Sequence, residues 1–133
     1  MLIFLDTNII SYYLNDCSVV KEELRKAMRN QETICTTLLN VYEILKGFKW
    51  KNNKQKEKRF NIFLNDLDIY SINDNVIKIA TDIYSTLRKK GVTIEDIDIL
   101  IAAIVIANDG ILVTNNTKHF GNIKQLKVVN WVC

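Results

Sequence analysis

The sequence predicts an α/β protein, a three-layer α/β/α sandwich around a central, mostly parallel sheet of four to five strands. Three observations lead there. Leu2-Ile3-Phe4-Leu5 is apolar at every position, as in a strand covered on both faces. Short β-prone runs then alternate with apolar stripes at helical spacing, the order that lays helices over a parallel sheet. Proline is absent and glycine occurs four times in 133 residues, so long flexible linkers are not expected and residues 1–133 read as one domain.

The elements follow in order. Asp6 marks the carboxyl end of the first strand, a short helix starts at Thr7, and a second starts at Ser18 as N-cap, with Val20, Leu24, Ala27 and Met28 at helical spacing. Thr33 to Thr36 is the second strand. Leu38, Val41, Tyr42 and Leu45 repeat at three and four, which places Glu43 on a helix and makes Gly47 its expected stop. Phe60, Phe63, Leu64 and Leu67 form a further amphipathic face, and Ile69 to Ile72 the third strand. Val76, Ala80, Ile83, Tyr84 and Leu87 make the clearest helical stripe, opened by Asn73 and closed by Arg88-Lys89-Lys90-Gly91, with cations where the helix dipole favours them. Ile97 to Asn108 is apolar almost all round, as in a helix at the centre of a fold. Asn108-Asp109-Gly110 is a turn. Ile111 to Thr114 and Leu126 to Val129 are the last strands, separated by the polar loop Asn115 to Lys124.

Composition narrows the chemistry. Hydrophobic residues make up 48% and charged residues 25%, enough for a core and a solvated surface, which argues against disorder, collagen-like repeats and a disulfide-stapled miniprotein. A single histidine, His119, removes every site that needs two: a zinc finger, an HExxH protease, a paired-histidine ribonuclease. It is read as a surface or locally hydrogen-bonded residue, outside the catalytic set. Cys17, Cys35 and Cys133 are odd in number and never spaced as CxxC, so they read as buried or incidental thiols in a reducing compartment, not a disulfide framework or zinc site. Asp6 interrupts the first apolar run and no basic stretch precedes it, unlike a signal peptide. Ile99 to Ala107 falls short of the roughly 20 residues of a membrane span. A soluble cytoplasmic protein without membrane attachment is expected.

In an open parallel sheet, ligands sit beyond the carboxyl ends of the strands. Three acids fall there: Asp6 after the first strand, Glu43 on the helix after the second, and Asp98 at the opening of the buried helix. Each has a bland reading, Asp6 as a helix cap, Glu43 as a solvated acid, Asp98 as a charge favoured by the helix dipole. Asp98 fits its bland reading worst, since an acid at the mouth of so apolar a helix invites a cation. Together the three form a hard oxygen site suited to Mg²⁺ or Mn²⁺, where clustering and metal binding explain each other. Such a site serves phosphoryl transfer or phosphodiester hydrolysis by a metal-activated water.

Leu5-Asp6-Thr7-Asn8, Val41-Tyr42-Glu43-Ile44-Leu45-Lys46-Gly47, Asp98-Ile99-Leu100-Ile101-Ala102-Ala103 and Leu112-Val113-Thr114-Asn115-Asn116 stand in the order and spacing of PIN-domain nucleases. From about Leu2 to Trp131 the chain resembles the VapC-type toxin ribonucleases. That resemblance implies a metal-dependent endoribonuclease in which Asp6, Glu43 and Asp98 are catalytic and hold Mg²⁺ or Mn²⁺, with Asn8 and Thr114 in support. The family often carries a fourth acid where this chain has Asn116, which keeps an acceptor oxygen but loses a charge. A single-ion site with Asn116 as a direct or water-mediated ligand is the resulting expectation, and Asp96 is read as a surface acid. The resemblance also implies a homodimer and a small VapB-like antitoxin that reaches the acidic pocket with a basic side chain.

The formal charge of +3 conceals a division. Residues 46–59 hold seven cations and one acid, while the rest of the chain holds 11 cations and 14 acids. Lys46, Lys49, Lys51 and Lys54, interleaved with Phe48 and Trp50, form a candidate contact for RNA, against a solvated helix face or a surface for a protein partner. Two other readings remain open. One is a binding module with a degraded site, motivated by Asn116. The other is a phosphotransferase with Asp6 as covalent nucleophile, weakened by Asn8 where that chemistry favours a second Asp.

Overall fold

The computed structural model describes residues 1–132, and Cys133 lies outside the described residues. The strands are β1 (Leu2–Leu5), β2 (Thr33–Thr37), β3 (Asp68–Tyr70), β4 (Ile111–Val113) and β5 (Lys127–Val129). They form one five-stranded sheet in the order β3-β2-β1-β4-β5, parallel at every pairing. The helices are α1 (Thr7–Leu14), α2 (Ser18–Arg29), α3 (Leu38–Trp50), α4 (Lys54–Leu64), α5 (Asp74–Lys89), α6 (Asp96–Ala107) and α7 (Thr117–Phe120).

The pleat of β1 divides the molecule into layers. Successive strand side chains point to opposite faces, so Phe4 enters one core with the buried residues of α5 and α6. Ile3 and Leu5 enter the other, with Ile9, Ile10, Leu24, Ile44 and Phe60 from α1 to α4. Helix α6 buries Ile99, Ile101, Ala102, Ala103, Ile104 and Val105, which accounts for its lack of a polar stripe. The three-layer sandwich and parallel sheet read from the sequence are therefore present.

Helix α5 follows its sequence signals closely. Asn73 Oδ1 accepts from the Val76 amide at 2.9 Å, and Arg88 and Lys89 occupy the last turn. Gly91, at φ +72°, lets the chain turn back so that Val92 N–H donates to Leu87 O at 2.9 Å, a left-handed helix ending that glycine makes without a Cβ penalty.

Several boundaries differ from expectation. Ser18 begins α2 instead of capping it; Cys17 holds the cap position and no side chain bonds there. Helix α3 runs through Gly47 to Trp50, because Phe48 packs its edge on Phe60 with ring centroids 6.3 Å apart. Asn52, at φ 52°, makes the left-handed turn instead. Strand β3 covers Asp68–Tyr70, not Ile69 to Ile72, and Ile72 stays exposed. Strand β5 begins at Lys127. The polar loop contains the unanticipated α7, which inserts Phe120 into the core. Cys35 is buried, its thiol pushed up to about 12 by burial, in keeping with an inert core residue. Cys17 is free and half-buried. Among the described residues no helix is long and apolar enough to cross a membrane.

Candidate active site

The chain runs outward from β1 through β2 to β3 and then returns to place β4 on the other side of β1. This reversal leaves a crevice at the carboxyl ends of β1 and β4, the place where open α/β sheets bind ligands. Asp6 and Thr114 follow those two strand ends. The Asp6 amide donates to Val113 O at 2.9 Å, and Thr114 Oγ1 donates to Asp6 Oδ2 at 2.7 Å. Both side chains are buried.

Asp6 precedes α1, yet its side chain makes no cap bond. It turns into the crevice. Oδ2 also accepts from Asn8 Nδ2 at 3.4 Å, and Oδ1 accepts from Asn40 Nδ2 at 3.0 Å. The same Asn40 amide donates to Thr7 Oγ1 at 3.0 Å, and Thr7 Oγ1 donates to Glu43 Oε1 at 2.8 Å. Asp6, Asn40, Thr7 and Glu43 thus form one polar chain that joins β1, α1 and α3. Asn40 is itself fixed by Thr37, whose hydroxyl donates to Asn40 Oδ1 at 2.6 Å and caps α3 by accepting from the Asn40 amide at 3.2 Å.

Asp98 arrives from the first turn of α6. The partner it meets is His119, whose Nε2 lies 3.0 Å from Asp98 Oδ2. Of the two readings of this histidine, the hydrogen-bonded one is the one observed. It approaches one of the three acids from α7, across a separation of 21 residues. Asp96 is exposed, as expected of a surface acid.

The electrostatics tie the acids together. Burial raises the Asp6 carboxyl above its ordinary range, opposed by bonds from Thr114, the Thr7 amide and Asn40, and reinforced by the Asp98 charge. Glu43 is raised as well, first by burial and then by the charges of Asp98 and Asp6, with the Thr7 bond and Lys46 acting the other way. Two carboxylates held in one field with incomplete compensation favour a proton or a cation.

The donor set fits a hard divalent ion in kind, since all of its donors are oxygens. In spacing it is looser: among the described residues no three His, Cys, Asp or Glu side chains stand close enough to ligate one ion together. Mg²⁺ characteristically keeps several waters and takes one or two carboxylates, so this spacing accommodates a partly hydrated ion better than a dry cage. Asn116 is exposed and caps α7 without a side-chain bond; its amide donates to Thr114 Oγ1 at 3.1 Å. Asn8 serves a second strand end, accepting from the Asn115 amide at 3.1 Å.

The basic segment spans the end of α3 and the start of α4. Lys49 pairs with Glu57 at 2.9 Å, and Lys46 Nζ lies 5.1 Å from the centre of the Tyr42 ring. Lys51 and Lys54 are exposed. Lys56 and Arg59 turn inward to the end of α1, Lys56 to Asn15 and Arg59 to Leu14 O at 2.8 Å and Asp16 at 3.2 Å. The two aromatics part company: Phe48 packs on Phe60, while Trp50 is 89% exposed.

Residues 3–126 match the family model described as PIN domain. The chain is 31% identical over 132 residues to ribonuclease VapC2 of Rickettsia felis, with 98% of each chain covered. It is 29% identical over 115 residues to ribonuclease VapC1 of Methanocaldococcus jannaschii, covering 86% of this chain and 83% of that one. Among solved structures, the VapBC2 complex of Rickettsia felis bound to a promoter DNA fragment contains a chain that superposes with a TM-score of 0.92 at 30% identity, covering 99% of this chain and 100% of that one. A chain of VapBC-1 from nontypeable Haemophilus influenzae shares the fold with a TM-score of 0.86 at 24% identity, covering 98% of each.

Proposed function

The chain belongs to the PIN domain family and, within it, to the VapC ribonucleases, and from that premise we propose that it is the endoribonuclease toxin of a VapB–VapC pair. The observation that carries the chemistry is Asp6, a buried carboxylate at the sheet's switch point, raised by burial and by Asp98 and held by hydrogen bonds alone.

In this reading Asp6, Glu43 and Asp98 hold Mg²⁺ or Mn²⁺ directly or through water, with Asn116 as a further oxygen donor. Such an ion supplies polarisation of the phosphodiester and activation of a water. The chain's own groups do the positioning. Thr114, Asn8 and Asn40 fix both oxygens of Asp6, Thr7 aims Glu43, and His119 steadies Asp98. Lys46, Lys49, Lys51 and Lys54 attract the RNA backbone toward a crevice that is otherwise anionic.

A VapB-like antitoxin would satisfy the same acids with an Arg or Lys in place of the ion. We further propose that the chain forms a homodimer; on the face between α5 and α6, Ile77 and Tyr84 are exposed beside Leu100. Sedimentation of the purified protein tests that dimer, and a monomer that persists at high concentration excludes it.

Incubation of purified protein with mixed cellular RNA in Mg²⁺, Mn²⁺ or EDTA tests the activity. Cleavage is expected with either ion, absent in EDTA and lost in Asp6→Asn. Undiminished cleavage by Asp6→Asn defeats the assignment. Tight RNA binding without cleavage under any divalent ion would favour the alternative motivated by Asn116, a PIN-like binding module.

A further inference from the structure

Helix α3 connects the acidic crevice to the basic segment in a continuous stripe. Glu43, Lys46, Gly47 and Trp50 stand at i, i+3, i+4 and i+7, so they share one side of the helix. Seven residues advance about 10 Å along the axis. The stripe begins at the carboxylate that Thr7 orients and ends two turns later at an indole that is 89% exposed.

That exposure is costly for so large a side chain. A tryptophan buries about 150–250 Å² when it packs, and at roughly 25 cal/mol per Å² an indole left in water forgoes several kcal/mol. Phe48, two residues away, shows that the core was within reach of an aromatic at this end of the helix.

The surroundings of Trp50 distinguish its partner. Tryptophans that anchor protein interfaces sit in apolar, desolvated patches. The neighbours of Trp50 on the helix are instead Lys46, Gly47, Lys49 and Lys51. Lys46 and Lys51 have no anionic partner among the described residues. A Cβ added at Gly47 would meet nothing within 4 Å, so the helix backbone between Lys46 and Trp50 is open to a flat ligand. A π-surface flanked by lysines, of which only Lys49 is ion-paired among the described residues, suits a base with its phosphate, as in single-strand binding proteins.

We propose that Trp50 is a base-stacking platform for single-stranded RNA, placed by α3 within a few nucleotides of the phosphate that reaches Glu43, with Lys46 holding the intervening backbone. The proposal rests on the ribonuclease reading and gives it a direction: the substrate strand runs along α3 away from the crevice.

The test uses the Trp131→Phe protein, in which Trp50 is the remaining indole of the two in the sequence. Titration with an unstructured oligoribonucleotide in EDTA, where the RNA survives, is expected to quench its emission. Trp50→Ala should weaken the affinity roughly 5- to 150-fold, the range for loss of one stacked base, with most of it recovered in Trp50→Tyr. In cleavage assays with Mn²⁺, Trp50→Ala should raise KM and leave kcat near the parent value. Lys46→Gln should lower the salt slope of binding by about one. Parent-like RNA affinity in Trp50→Ala overturns the platform while leaving the ribonuclease reading intact. Unchanged RNA affinity with an altered sedimentation coefficient assigns the indole to a second copy and also overturns it. A parent protein that neither binds nor cuts RNA removes the ribonuclease reading and the platform with it.

Discussion

Thr114 Oγ1 lies 2.7 Å from Asp6 Oδ2 and donates to it, a bond between groups 108 residues apart that joins the ends of β1 and β4. Both groups are buried, so the bond has no ready substitute. Thr114→Val removes the donor at nearly constant volume and leaves Oδ2 with the long Asn8 contact as its one side-chain bond. The expected cost is about 1–3 kcal/mol, read as a lower urea midpoint at unchanged m. Thr114→Ser should recover most of it; equal loss in both variants would assign the effect to the methyl group.

Asn40 holds Asp6, Thr7 and, through Thr37, its own helix. Asn40→Ala should therefore lower kcat more than it changes KM, because it frees both Asp6 and Glu43 while leaving the lysines untouched. A pure KM effect would place the residue in substrate binding instead. Stability should fall by about 1–3 kcal/mol as its buried partners lose their bonds.

The raised carboxyls of Asp6 and Glu43 set a pH dependence. Each holds its proton to higher pH in the folded chain than in the unfolded one, where the ordinary values are 3.8 and 4.5. The stability this contributes is complete below those values and is lost as pH rises through the folded ones. In EDTA the contribution to Tm should thus decline from about pH 4 upward. Asp98→Asn removes a charge that raises both groups, and its decline should be shallower than the parent's. Divalent ions bind the ionised forms, so the Tm gained on adding Mg²⁺ should grow with pH. A gain that shrinks with pH would contradict ligation by these acids.

Two glycines should respond in opposite directions. A Cβ on Gly110 would lie 2.6 Å from Phe4 Cε1 and 3.1 Å from Leu2 O, against the central strand. Gly110→Ala should cost about 1–3 kcal/mol through overpacking. Gly47 lies inside α3 with open space around it, and Gly47→Ala should stabilise the fold by about 0.5–1 kcal/mol. Chemical denaturation of the pair measures both signs.

Asn116→Asp returns a charge at the position where the family often carries an acid. If this residue faces the ion, the Mg²⁺ concentration for half-maximal cleavage should fall several-fold. An unchanged requirement would place Asn116 outside the metal's reach.

The layout was readable because buried elements write their geometry in apolar residues. Leu2 to Leu5 and Ile97 to Asn108 have no polar face to offer, and α5 carries both its cap and its stop. Helix α7 leaves no trace in the sequence because four residues hold no period, and α3 outruns its expected end because Gly47 is a stop signal only when nothing beyond it packs. Of the acids, Asp6 is legible as a strand-end residue, whereas Glu43 and Asp98 stand on helices and show in the sequence as charges beside apolar positions. Their support is less legible: Asn40 looks like a polar gap between Leu39 and Val41, although it stands one turn before Glu43 and three residues after a capping threonine. The role of His119 is hidden in the sequence because its partner, Asp98, is adjacent only after α7 folds.

The central position of β1 also bears on synthesis. The first strand made is the middle one of the sheet. One of its edges can pair with β2 early, but the other waits for residues 111 to 114. Contacts of such long sequence separation form slowly and late. A nascent chain emerging from the ribosome therefore carries Asp6 through the synthesis of more than a hundred further residues without the neighbour that completes its setting, and the site closes only once β4 and Thr114 are free to fold.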